Sequence, residues 1–140
     1  MIRARALRTS VVPRLAAPLA AMAAVVVATA YVGVHDPHRP GHYPACPLLT
    51  FTGLFCPGCG GLRAVHDLVH GDLPAALGSN LLVPVGALAF AVLWVGWTVR
   101  VMRARPVNVP LRTVHLWFLA APVVAFTVVR NLPFGAVLAP

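Results

Sequence analysis

Residues 15–34 read LAAPLAAMAAVVVATAYVGV, without a charged side chain. A run of about 20 apolar residues is the length that crosses a hydrocarbon core of roughly 30 Å at about 1.5 Å rise per residue. It is read as a first transmembrane helix. A cleaved signal peptide is the competing reading, because a basic start leads into the apolar stretch and Ala28-Thr29-Ala30 resembles a small-residue cleavage site. The run continues through Tyr31, Val32 and Val34, which favours a retained helix.

Two further apolar runs follow. Residues 81–99 form a second span, with Ser79 or Asn80 placed to cap its start, Pro84 in its first turn, Trp94 and Trp97 toward its far end, and Arg100 stopping it. Residues 113–129 form a shorter third span, which Arg112 and Arg130 lengthen by snorkelling outward. Pro133 prevents a regular helix from continuing beyond it. The fold class is therefore all-α: one polytopic membrane domain over residues 1–140, with three spans and a cysteine-bearing connection at 35–80.

Composition agrees. The chain is 59% hydrophobic and 10% charged, and its mean hydropathy is +0.83, too apolar for an ordinary soluble domain. The net charge of +8 comes from eleven arginines against Asp36, Asp67 and Asp72. That balance suggests nucleic acid, but Arg3, Arg5, Arg8 and Arg14 precede one apolar run and Arg100, Arg103, Arg105 and Arg112 separate two others. Such placement belongs to the flanks of membrane helices, and nucleic acid is not an expected partner. Three acidic residues leave little for paired-carboxylate catalysis, and neither a phosphate-binding glycine loop nor an activated-serine motif is present. The arginine-rich loops set the orientation expected in an inner (plasma) membrane: N-terminus cytoplasmic, 35–80 outside the cytoplasm, second connection inside, C-terminus outside.

Within the connection, residues 35–47 are rich in Pro and His and are expected to be irregular, with His35, His38 and His42 solvated. Residues 62–70 form a short helix ended by Gly71, and Asp72 caps a second one that carries Pro74 in its first turn and ends at Gly78.

The chemically pointed feature is Cys56-Pro57-Gly58-Cys59-Gly60, with Cys46 ten residues before it. Three readings stand. A disulfide, most simply Cys46 to Cys56 or Cys59, pins the segment in an oxidising compartment. A metal site, zinc first, uses Cys46, Cys56, Cys59 and His66, since the motif has the form of one zinc knuckle and His66 and His70 share a helical face. A zinc ribbon has two knuckles, however, and this chain has one. Thiol redox chemistry uses Cys56 and Cys59, with Cys59 activated by the following helix and Arg63. Arg63 itself either binds an anion, such as a lipid headgroup, or pairs with Asp67; Arg130 stands on the same side and can share a ligand with it.

The combination of Cys46, Gly53, Cys56-Pro57-Gly58-Cys59-Gly60, Arg63-Ala64, Gly71-Asp72, Ala76 and Asn80, resuming at Arg130-Asn131-Leu132-Pro133, resembles the uncharacterised bacterial membrane proteins catalogued as domain of unknown function number 2752. Leu62 stands where that family usually has Thr before the Arg. The resemblance implies a membrane setting and importance for the Cys-Arg segment, and it brings no activity with it. The expectation is a non-enzymatic component that presents the segment to a metal, lipid or partner membrane protein; thiol-disulfide exchange is the alternative.

Overall fold

The computed structural model describes residues 2–105 and 113–139, so Arg112 lies outside the described residues. The elements are helical throughout. They are α1 (Ile2–Val34), α2 (Pro47–Thr52), α3 (Gly61–Val69), α4 (Leu73–Ser79), α5 (Leu82–Met102), α6 (Thr113–Arg130) and a closing 3₁₀ turn at Pro133–Leu138, with no strand among the described residues.

Two helical stretches, Arg14–Val34 and Leu82–Met102, are long and apolar enough to cross a membrane. The third expected span is apolar but shorter at His115–Arg130; all 18 residues of α6 rise about 27 Å. Their large apolar side chains face outward: Leu88 is 69% exposed, Leu93 72% and Phe118 76%.

Some boundaries differ from expectation for identifiable reasons. The backbone of α1 is already helical at Ile2, because Arg, Ala and Leu favour helix whether or not they sit in an apolar run. Arg100 does not stop α5. It lies in the last turn, where a cation suits the carbonyl end of the dipole. The stop is at Ala104, whose φ of 52° lets Arg105 N–H reach Arg100 O and Ala104 N–H reach Val101 O. Residues 47–52, which carry no helix signal in the sequence beyond the irregular stretch expected to end at Pro47, form α2.

The chain divides into two compact units. In one, α1 up to Ala28 and α5 from Ala87 are joined by the Trp94 indole N–H, which donates to Pro18 O at 2.8 Å. The other holds Thr29–Gly86 and α6 with the tail, and it contains every residue of the candidate site. Its centre is the α3–α4 hairpin, in which Ala64 and Ala76 are fully buried. Gly71 turns the chain at φ 81°; Asp72 N–H donates to Asp67 O and Gly71 N–H to Leu68 O, the pattern of a left-handed helix stop. The Asp72 carboxylate then accepts Ala75 N–H at 3.0 Å, as the cap expected for α4. That helix runs through Gly78 to Ser79, and Asn80 follows it as C-cap.

Candidate metal centre

Cys46 precedes Pro47, which confines it to extended backbone (φ −62°, ψ 120°) and opens α2. Gly53, at φ 71°, ends that helix after six residues and returns the chain toward Cys56. The next turn is closed by Cys59 N–H donating to Cys56 O at 3.1 Å, with Pro57 supplying the fixed φ of a turn's first corner. Gly60, at φ 76°, is the N-cap of α3. This positive φ is cheap for glycine alone, so the motif's last residue is what lets a helix start directly after Cys59.

These local rules bring three sulfurs together. Cys46 Sγ stands 3.4 Å from Cys56 Sγ, and Cys56 Sγ 3.3 Å from Cys59 Sγ. All three lie within 4.8 Å of one another, and each cysteine is a free thiol. Zn–S bonds of about 2.3 Å in a tetrahedron place sulfurs about 3.8 Å apart. The cluster therefore has the dimensions of three corners around one ion.

Carbonyl groups of the turn are held from two directions. Asn80, 1% exposed, donates through Nδ2 to Pro57 O and Cys59 O, both at 2.9 Å, and accepts Leu82 N–H at 2.9 Å, so the residue that starts α5 also grips the knuckle. Arg130, 2% exposed, donates to Cys56 O at 3.0 Å, to Cys59 O at 3.2 and 3.3 Å, and to Leu138 O at 3.1 Å. Its guanidinium lies 4.8 Å from the Phe126 ring centroid and 5.6 Å from that of Phe55. Asn131 completes the seam: its amide accepts Phe55 N–H at 2.8 Å and donates to Phe55 O at 2.9 Å.

The thiols are unequal. Burial, then the neighbouring sulfurs of Cys56 and Cys46, pushes Cys59 up to about 12. Cys46 is lowered to about 7, first by the Leu49 backbone N–H and then by the Cys56 and Cys59 sulfurs, although the Leu49 approach falls short of a capping hydrogen bond. Activation of Cys59 by the helix and Arg63 is thus overturned; desolvation of a buried sulfur outweighs the dipole, and Cys46 is the acidic thiol.

Other expectations fall as well. His66 is not with the sulfurs. It lies one and a half turns into α3 and groups with Asp36 and His38 instead, while stacking on His70 at 4.2 Å. Arg63 does not pair with Asp67. It is exposed, whereas buried Asp67 is engaged by His38 Nε2–H at 2.8 Å and Ser79 Oγ–H at 2.9 Å. Arg130 is not placed to share a ligand with Arg63: its two terminal nitrogens donate to carbonyls, and its Nε, without a hydrogen-bond partner among the described residues, is buried whereas Arg63 is exposed. His38 is no bystander in a solvated loop, because it reaches Asp67 across 29 positions of chain. Arg63 and Arg39 line a cavity of about 450 Å³ that also opens onto Cys46 and Cys59.

Residues 46–94 match the family described as Protein of unknown function (DUF2752). The DUF2752 stretch contains the three cysteines, Arg63, Asp72 and Asn80. It ends before Arg130 and Asn131, which join the site through geometry. No curated protein and no solved structure matches the chain.

Proposed function

We propose that this chain is a small integral membrane protein whose extracytoplasmic connection binds one thiophilic metal ion, Zn²⁺ or Cu⁺, through Cys46, Cys56 and Cys59. The observation that carries the reading is the convergence of three sulfurs from two separate turns within 4.8 Å. Arg130 adds to it. A nearly buried guanidinium without a carboxylate partner among the described residues is costly, and a metal–thiolate cluster of net negative charge beside it offsets that cost. The membrane setting is supported by the two long apolar helices and their outward-facing side chains, and the orientation by the loop arginines. Three thiolates leave a fourth metal position for a group from the Arg39–Arg63 cavity or from a partner.

Metal analysis of protein extracted in mild detergent without chelator tests this. The parent is expected to hold one equivalent of Zn or Cu more than Cys56→Ser; equal metal content in the two after reduction and reloading refutes it. The alternative, thiol-disulfide exchange, is supported by the acidity of Cys46 and its 3.4 Å approach to Cys56, and it moves the exchanging pair from Cys56 and Cys59 to Cys46 and Cys56. Exchange with a model disulfide that survives Cys46→Ser removes it.

A further inference from the structure

Beside the thiol cluster, and independent of it, the chain gathers a second donor set. Asp36 and His38 come from the loop after α1 and His66 from α3, and one donor atom of each lies within 4.8 Å of the others. The gathering is selective: the chain has only three acidic residues, and Asp36 and Asp67 both meet here.

The donors are graded. Asp67 has both carboxylate oxygens engaged, one by His38 Nε2–H and one by Ser79 Oγ–H. It therefore orients His38 while leaving the other ring nitrogen available, as carboxylates behind metal-bound imidazoles do. His66 has a side chain only 17% exposed, and its nearest carboxylate oxygens, on Asp36 and Asp67, stand at 3.9 and 4.0 Å. Neither distance is a hydrogen bond, so a half-buried imidazole is left with no hydrogen bond from its ring nitrogens among the described residues. Asp36 accepts His38 N–H at 2.9 Å, which holds its carboxyl below the usual range. Its exposed ion pair with Arg39, at 3.5 Å, is a weak competitor. Zn–N and Zn–O bonds of about 2.0–2.1 Å place tetrahedral donors about 3.3 Å apart, so the 3.9 Å between His66 Nε2 and Asp36 Oδ1 closes with a small side-chain rotation.

We propose that Asp36, His38 and His66 form a second cation site of nitrogen and oxygen donors, taking a borderline divalent ion such as Zn²⁺ or Cu²⁺, with Asp67 as its positioning residue. The two donor sets differ in softness. Three thiolates select thiophilic ions, whereas two imidazoles and a carboxylate suit Zn²⁺ and Cu²⁺.

The test uses the full chain in detergent, with all thiols blocked by N-ethylmaleimide to remove the sulfur site. Titration with Cu²⁺, followed by electron paramagnetic resonance, is expected to show one equivalent with nitrogen hyperfine structure, and Zn²⁺ is expected to compete for it. His66→Gln and His38→Gln should each weaken binding at least tenfold, Asp67→Asn about tenfold, and His42→Gln not at all, with helical content by circular dichroism unchanged throughout. Failure of the blocked protein to bind either ion overturns the proposal, as does equal binding by the His66→Gln and His38→Gln variants. The unblocked protein separates the two readings: loss of the sulfur site alone leaves this equivalent in place.

Discussion

Arg130→Met is the sharpest perturbation of the site. The guanidinium makes four N–H···O contacts to three carbonyls, and hydrogen bonds from a charged donor contribute about 1.5–3 kcal/mol each. The sum overstates the loss. Cys59 O keeps Asn80 and Cys56 O keeps the Cys59 N–H, so only Leu138 O is stripped of the partner described for it. Removing the buried cation also recovers its desolvation cost. About two bonds' worth remains, on the order of 3 kcal/mol for opening the knuckle, or roughly a 150-fold shift in the opening equilibrium. Cys59 reports it, being 7% exposed and reactive only when the turn opens. Alkylation of Cys59 in chelator-treated protein, followed by peptide mass spectrometry, should accelerate by that factor, while half-buried Cys46 changes little. Arg130→Lys keeps the charge but not the planar fork and should fall between. A Cys59 rate in Arg130→Met within threefold of the parent would refute the clamp.

Cys46 should alkylate with a midpoint near pH 7, matching its lowered value of about 7, while Cys59 shows no midpoint below pH 10 and reacts only slowly, as the turn opens; a Cys46 midpoint near 9 contradicts the geometry. Because the folded pKa lies below the ordinary 9.0, the thiolate's contribution to stability is complete above pH 9 and disappears as pH falls through about 7. Asn131→Leu strips the Phe55 N–H and C=O of their amide partner; at about 2 kcal/mol, amide exchange at Phe55 should speed up roughly 30-fold, and an unchanged rate would show that the seam carries no load. Gly71→Ala meets no atom within 4 Å, so its cost is the positive φ alone, about 1–2 kcal/mol. Asp72→Ala removes the α4 cap, about 1 kcal/mol. Each should lower the thermal midpoint measured by circular dichroism in detergent, and a midpoint that stays put in either variant contradicts the turn described.

Local chemistry made much of the chain readable beforehand. The long apolar stretches at 15–34 and 81–99 carry their own length test, and Asp72 with Pro74 announces a helix start because the cap needs only residues three positions away. Pro47 after Cys46 and Gly53 before Cys56 bound α2 without announcing it, since six residues are too few to show a helical period.

What one-dimensional reading determined was the all-helical plan and the importance of the cysteine turn, because hydropathy runs, caps and turn residues act within a few positions of chain. Only the tertiary structure decided which side chains share a site. Burial reversed the expected acidities of the cysteines, sent Arg130 into the carbonyls of a turn 71–74 residues away, took Asp67 from Arg63, and moved His66 from the sulfurs to Asp36 and His38. Those outcomes depend on desolvation and on donors meeting across long stretches of chain, and neither leaves a periodic trace in the order of residues.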